Sequence, residues 1–241
     1  MISLLPVAGL PEVRPGDDLA ALIAAVARLE DRDVVVVAQK VVSKAEGRLV
    51  RLADVVASPR AIELAAGEVD PREIEVILAE TERVVRLRAP FIVSETRHGL
   101  ICGSAGVDHS NSGEDDMLVL LPEDPDASAR KLRDAVREQT GADVAVIVAD
   151  SFGRPFRMGT TDVAIGVAGL APIRDLRGTH DRDGRVLRST LIAVADELAA
   201  AADLARRKES GVPVVIVRGF PIEGDGSAQE LVMPRERSLF D

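Results

Sequence analysis

Residues 144–157 read Val-Ala-Val-Ile-Val-Ala-Asp-Ser-Phe-Gly-Arg-Pro-Phe-Arg, an apolar run that changes abruptly into a polar one. The β-branched run over 143–149 predicts a buried strand. Asp150 then lies at the exit of that strand, where open α/β sheets bind ligands. A carboxylate, the Ser151 hydroxyl and two arginines, Arg154 and Arg157, suit a divalent metal together with phosphate. The alternative is an Asp-Ser pair that caps a helix or closes a turn.

A second polar cluster, Gly-Val-Asp-His-Ser-Asn at 106–111, follows Gly-Ser-Ala. Small residues let the backbone approach a ligand, and Asp108 supplies a further oxygen ligand if this cluster folds against Asp150. Lys44 follows a predicted strand over 33–42, where a lysine can meet a phosphate as a point charge. A polar turn and a solvated loop lysine are the respective alternatives. No histidine pair has the spacing of a metal site.

The rest of the chain alternates predicted helices and strands. Helical spacing of apolar residues covers 17–29, 59–68, 72–81, 125–139 and a stretch marked by Leu187, Leu191, Val194, Leu198 and Ala202. Further strands are predicted over 117–121 and 212–217, with extended structure over 91–102. This order predicts a mixed α/β or α+β fold. Regular βαβ units do not cover the chain, so a doubly wound sheet is not predicted.

Composition narrows the class of function. The chain has 241 residues, a net charge of −10, 46% hydrophobic and 2% aromatic residues, and one cysteine. This acidic balance disfavours binding to nucleic acid or anionic membranes, and scarce aromatics disfavour single-stranded nucleic acid. One cysteine excludes an intramolecular disulfide. With no apolar run of about 18 residues and no signal-peptide pattern, the sequence predicts a cytoplasmic protein.

Familiar nucleotide and hydrolase motifs are missing from the sequence. It has no G-x-x-x-x-G-K-[ST] loop, no G-x-G-x-x-G after a strand, no nucleophile elbow and no H-E-x-x-H. Any nucleotide site is therefore of an unusual kind.

Taken together, the motifs resemble the coenzyme F-420:L-glutamate ligase family, the γ-glutamyl ligases that add glutamate to the deazaflavin cofactor. The segments that carry the resemblance are 9–13, 16–18, 39–47, 97–102, 106–111, 150–155, 163–166, 213–219 and 234–240. They span nearly the whole chain in order. The resemblance implies a single domain over 1–241 without a C-terminal flavin reductase domain. It also implies a family-specific α/β fold with two closely packed lobes and an intertwined homodimer.

The resemblance also implies a GTP-dependent ligase that uses Mn²⁺ or Mg²⁺, with a possible K⁺ requirement. Its small-molecule substrates are then coenzyme F-420-0 and L-glutamate. By position, Asp108, Asp150 and Ser151 resemble the metal ligands. The residues that resemble the guanine-nucleotide contacts are Leu10, Pro11, Glu12, Val13, Gln39, Lys44 and Asn111. Arg154 and Arg157 are the candidates for holding a substrate phosphate or carboxylate.

One departure from the family keeps other functions open. Family members often read Met-Gly-Gln where this chain has Arg-Arg-Lys at 206–208. A protonated Lys208 is not a metal ligand, although it can replace the charge of a cation. This altered segment leaves a non-catalytic guanine-nucleotide-binding regulatory protein as one alternative to a ligase. A metal-dependent phosphohydrolase, with the same aspartates and with water as the acceptor, is the other.

Overall fold

Valine-rich strands form the centre of the molecule in a computed structural model, which describes residues 1–109, 116–206 and 211–239. The α-helices there are α1 (Leu19–Val26), α2 (Gln39–Ala45), α3 (Pro59–Ala65), α4 (Pro71–Ala79), α5 (Pro125–Thr140) and α6 (Val194–Arg206). The strands are β1 (Ser3–Pro6), β2 (Val34–Ala38), β3 (Leu49–Arg51), β4 (Thr81–Arg88), β5 (Phe91–Thr96), β6 (Ile101–Gly103), β7 (Met117–Val119), β8 (Ala145–Arg154), β9 (Arg157–Ala168), β10 (Ile173–Asp175), β11 (Leu191–Ala193) and β12 (Val214–Arg218).

The central sheet has five strands in the order β1-β12-β2-β8-β9. Strands β2 and β8 are parallel and pair from Val34 opposite Ala145 to Ala38 opposite Ala149, and the other neighbours are antiparallel. Helices cover both faces: α1 and α5 pack on one, and α6 packs on the other. Both faces of β2 and β8 are thus buried, which explains their unbroken apolar sequence.

A third hydrophobic cluster lies apart from the two clusters of the central sheet. It joins α3 and α4 to strands of two smaller sheets, β4-β5-β6 and β3-β7. Its buried members include Leu64, Ile74, Ile77, Ile92 and Leu118. The architecture confirms the predicted mixed α/β class. The two lobes and the intertwined dimer stay predictions.

Strands β8 and β9 form one long hairpin that carries both core and site residues. Val148 pairs with Gly166 but Ala149 pairs with Ala164, so Ile165 is an extra residue and β9 bulges there. At Gly166 the hairpin touches α5, where an added Cβ would lie 2.1 Å from the Pro125 carbonyl oxygen. Only glycine fits this contact.

Several predicted boundaries were wrong. The strand predicted over 33–42 ends at Ala38, and the chain turns directly into α2. The strand predicted over 143–149 continues to Arg154, and the long helix starts at Val194, after β11. Short apolar runs do not distinguish a strand from a buried helix, and this ambiguity explains the first error.

Candidate active site

A cleft of about 380 Å³ opens where the parallel strands β2 and β8 diverge. Their pairing ends at Ala38 and Ala149 because β2 is followed directly by α2, whereas β8 continues into the hairpin with β9. Beyond Ala149, β8 therefore has no β2 neighbour on that edge. The cleft is lined by residues 10–13, 38–41, 44, 108, 149–151, 203, 206 and 211–213. This is the kind of crevice at strand ends where α/β proteins bind ligands.

Asp150 and Ser151 lie in β8 itself, one and two residues past the last pairing with β2. The sequence predicts Asp150 at the exit of the strand; the pairing with β2 does end just before Asp150, but the strand runs on to Arg154, so its end was predicted too early. Ser151 is directly opposite Asp162 on β9. Its Oγ donates to Asp162 Oδ1 at 2.6 Å. Direct cross-strand neighbours are close enough for such side-chain contacts.

Arg206, at the end of α6, supplies a buried cation to the cleft. Its guanidinium pairs with Asp162 Oδ2, and the Asp162 side chain is fully buried. Burial lowers the pKa of Arg206, and the nearby Asp150 carboxylate opposes that shift. Arginine stays protonated in proteins, so Arg206 brings a fixed positive charge close to Asp150.

Asp108 and Lys40 form an ion pair in the cleft, with 2.9 Å between Asp108 Oδ2 and Lys40 Nζ. The Asp108 side chain is 42% exposed, whereas that of Lys40 is 17% exposed. The sequence offers Asp108 as a further oxygen ligand on the condition that its cluster folds against Asp150, and both residues line this cleft. A cation that binds Asp108 has to compete with Lys40 for the same carboxylate.

The described residues that were predicted to contact guanine nucleotide also line the cleft. Leu10, Pro11, Glu12 and Val13 form a loop that lines the cleft, and Lys44 Nζ pairs with Glu12 Oε1. Gln39 is buried, and its amide donates to Ser43 Oγ at 2.6 Å and to the Leu120 carbonyl at 2.9 Å. Asn111 lies outside the described residues.

Arg154 and Arg157 lie elsewhere, on either side of the hairpin turn. They end β8 and begin β9, and the described lining of the cleft does not include them. Arg154 Nη2 donates to the Met158 carbonyl at 2.9 Å. Near them Phe156 and Met158 are 90% and 94% exposed. The predicted grip of these arginines on substrate stays a prediction.

The donor set of the cleft fits a hard cation whose shell is completed by substrate. Over 1–109, 116–206 and 211–239, no group of three or more His, Cys, Asp or Glu residues could hold a metal ion. Four acidic residues line the cleft, Glu12, Asp108, Asp150 and Asp203, and the predicted ligands among the lining residues are Asp108, Asp150 and the Ser151 hydroxyl. Mg²⁺ typically uses one or two carboxylates together with phosphate oxygens, in contrast to zinc in its histidine and thiolate cages.

The thiol of Cys102, in the neighbouring strand β6, is not a candidate nucleophile. Burial and the charge of Asp150 raise its pKa to about 12. The thiolate, which is the reactive form, is therefore negligible at neutral pH. This agrees with the sequence, which places Cys102 in an apolar run.

Two charged residues that line the cleft, Lys40 and Asp203, were not assigned a role from sequence, and neither was the buried Asp162 behind it. Arg206 was noticed only as a departure from the family pattern. Asp162 lies directly before the apolar segment of β9 that starts at Val163, and only the register of the hairpin shows that it faces Ser151. No helix in the described ranges has the length and apolar character needed to cross a bilayer.

The chain matches known proteins over nearly its whole length. A family model described as F420-0:Gamma-glutamyl ligase matches residues 9–219. A protein named Coenzyme F420:L-glutamate ligase from Methanothermobacter thermautotrophicus is 46% identical over 250 aligned residues, which cover 99% of this chain and 98% of that protein. Proteins of the same name from Methanopyrus kandleri and Haloarcula marismortui are 47% and 46% identical, covering 95% and 99% of this chain and 93% and 95% of theirs. This chain belongs to the F420-0:gamma-glutamyl ligase family.

Proposed function

We propose that this chain is a GTP-dependent ligase that adds L-glutamate to coenzyme F-420-0, and then further γ-linked glutamates, in coenzyme F-420 biosynthesis. Family membership and the names of the relatives support the ligase and its substrates. The observation that carries the site is that Asp108, Asp150 and Ser151 line one cleft together with Lys40 and Lys44. Oxygen ligands and lysines in one crevice are what a metal–triphosphate complex requires.

The proposed reaction has two steps. First, the terminal carboxylate of the coenzyme attacks the γ-phosphorus of GTP, the bond to the bridging oxygen breaks, and GDP and an acyl phosphate result. Second, the amine of L-glutamate attacks the acyl carbon, phosphate leaves, and the nitrogen loses a proton to give the amide. Both steps join two anionic reactants, so positioning and charge stabilisation are the main tasks of the protein.

The cleft residues have defined parts in this proposal. Asp108, Asp150 and Ser151 hold Mn²⁺ or Mg²⁺, which when bound neutralises the charge that develops on the phosphate oxygens. Lys40 and Lys44 are point charges for the triphosphate. The other residues proposed to contact the nucleotide are Leu10, Pro11, Glu12, Val13, Gln39 and Asn111. We propose Arg154 and Arg157 for the carboxylate or phosphate of a substrate.

The assembly is proposed to be a homodimer. The exposed Phe156 and Met158 at the hairpin tip support this, because large apolar side chains that cluster at a surface often mark an interface. Light scattering on the wild type and on Met158→Ser would test it, with a dimer expected for the first and a shift towards monomer for the second. Wild-type protein that is monomeric at micromolar concentration would overturn the dimer.

The ligase is tested by mass spectrometry of coenzyme F-420-0 incubated with the protein, L-glutamate, GTP and Mn²⁺. Glutamate-sized additions to the coenzyme are expected, and replacing GTP by ATP should suppress them. Asp150→Ala should abolish the additions. Asp143→Ala is the matched control, since Asp143 is an exposed aspartate just before β8 that pairs with Arg133.

The other outcomes distinguish the alternatives. GTP turnover that does not depend on glutamate would indicate a phosphohydrolase. Tight GTP binding without turnover would indicate a regulatory protein, and would direct attention to the segment at 206–208. K⁺ is tested in the same assay by replacing it with Na⁺, where a lower rate is expected.

A further inference from the structure

Asp162 is a buried carboxylate with two side-chain partners, both of which line the cleft. It is 1% exposed and does not itself line the cavity. One of its oxygens accepts the Ser151 hydroxyl at 2.6 Å, and the other pairs with Arg206. A buried carboxylate strongly destabilises the folded protein unless a partner compensates its charge. Here the partners that compensate the charge are themselves site residues.

This contact decides what the Ser151 hydroxyl offers to the cleft. A serine hydroxyl has one proton and two acceptor lone pairs. An ionised carboxylate is an acceptor only, so the Ser151 proton is used on Asp162. The side of Ser151 Oγ that faces the cleft then carries lone pairs. Such an oxygen is a ligand for a cation and is unable to donate to a phosphate oxygen.

We infer that Asp162 is a positioning residue that fixes Ser151 as a cation ligand, while its other oxygen anchors Arg206. The inference rests on the proposed function, since it assumes that the cleft binds Mn²⁺ or Mg²⁺. Carboxylates that hydrogen-bond to the ligands of a metal ion, and not to the ion itself, orient those ligands. Their loss typically weakens metal affinity about 10- to 100-fold.

The substitution Asp162→Asn tests this direction of hydrogen bonding. An amide has one acceptor oxygen and one donor group. Arg206 has only donors to offer, so it attracts the amide oxygen and leaves the amide NH₂ towards Ser151. Ser151 Oγ then accepts a hydrogen bond, and its proton turns to the cleft. We expect the affinity for Mn²⁺ to fall at least tenfold with little change in side-chain volume.

The measurement is the dissociation constant of Mn²⁺ from the full-length protein without nucleotide, obtained from the electron paramagnetic resonance signal of free Mn²⁺. Asp162→Asn, Ser151→Ala and the double variant form a cycle. We expect Asp162→Asn to weaken binding in the wild type and to add less than twofold in the Ser151→Ala background. A merely structural role would not produce this dependence on Ser151.

Asp126→Asn is the matched control. Asp126 is also buried, but its Oδ1 accepts only from the backbone N–H groups of Val167 and Ala228. It should leave Mn²⁺ affinity unchanged. If Asp162→Asn does not fold, Asp162→Glu takes its place in the cycle with Ser151→Ala, because it keeps the negative charge for Arg206 and displaces the oxygen that accepts from Ser151.

Three results would overturn the inference, and the third would overturn the proposed metal site with it. Equal loss of affinity with and without Ser151 would show that Asp162 acts through its charge alone. If Asp162→Asn binds Mn²⁺ as tightly as the wild type while Asp150→Ala does not bind it, the metal site exists but Asp162 has no part in it. Wild-type protein that does not bind Mn²⁺ would overturn both the inference and the proposed metal site.

Discussion

The two ends of the central sheet each carry a buried aspartate paired with an arginine, and the two pairs differ in what surrounds them. Away from the cleft, Asp33 is 1% exposed and accepts from Arg218 Nε and Nη2, both at 2.8 Å. It also accepts the Glu30 backbone N–H at 2.8 Å. At the cleft end, Asp162 binds Ser151 and Arg206, which line a cavity.

The pKa values of the two arginines move in opposite directions. The hydrogen bonds that Arg218 donates to Asp33 raise the pKa of Arg218, which is partly exposed. Burial lowers the pKa of Arg206 in spite of the neighbouring acids. The first pair joins the chain before β2 to the end of β12 and so stabilises the fold. The pair of Asp162 and Arg206 holds a positive charge in a buried position that disfavours it, and such perturbed groups are typical of ligand-binding sites.

The largest expected effect is at the cleft end. Asp150→Asn removes a charged oxygen ligand and should lower the rate of glutamate addition about 10³-fold, as the loss of one preorganised electrostatic group does. Its melting temperature should stay close to that of the wild type. The rate is measured by mass spectrometry, and a rate within tenfold of the wild type would remove Asp150 from the site.

At the far end, we expect the opposite pattern. Asp33→Asn should lower the free energy of unfolding by about 2 to 3 kcal/mol, because it breaks a bidentate, partly exposed ion pair. The ligation rate of the folded protein should not change. Urea denaturation and the rate assay are run on the same preparation. If Asp33→Asn lost activity while its stability stayed the same, the proposed difference between the two ends of the sheet would be wrong.

The buried Cys102 thiol should make the free energy of unfolding depend on pH in the alkaline range. Its pKa is raised to about 12 in the fold, from 9.0. Between these values the unfolded chain loses the proton while the folded protein keeps it, so stability falls as pH rises, by about 1.4 kcal/mol per pH unit at most. Urea denaturation in a chelator from pH 8 to 11 should show this slope, and Cys102→Ala should lack it.

The smallest effect concerns Lys40. Lys40→Gln frees Asp108 from its ion pair and should tighten Mn²⁺ binding without nucleotide by about two- to fivefold, the range of a partly exposed ion pair. Lys131→Gln is the control, since it makes the same charge change on the exposed side of α5. Weaker binding in Lys40→Gln, with the control unchanged, would mean that Lys40 supports the metal site.

The sequence was sufficient to identify the two polar clusters and to predict the strand that leads to Asp150, because a buried strand followed by polar residues has a clear pattern. It left the proximity of Asp108 and Asp150 as a condition, since that depends on how distant segments fold together. Elements with weaker patterns were missed: β4 follows α4 with one residue between them, and five of its eight residues are exposed.

Asp162 was beyond prediction for a different reason. Its position opposite Ser151 depends on one extra residue, Ile165, between it and the paired core of the hairpin. Register in a sheet is a property of two segments together, and a single strand does not reveal it. The helical position of Gln39 and Lys40 was missed too, although Gln39 was predicted as a nucleotide contact, since the change from β2 to α2 comes without a loop at Ala38.

The bulge at Ile165 bears on how this family can change length in evolution. Adding one residue between Asp162 and Gly166, with the bulge kept at its present size, would slide the outer part of β9 by one position and turn Asp162 away from Ser151, because the faces of a strand alternate. Losing Ile165 would only close the bulge and keep that pair, and an insertion at the turn beyond Arg154 leaves every earlier pair in place. We therefore expect relatives to differ in length at the hairpin tip and to add no residue between Ser151's partner and Gly166.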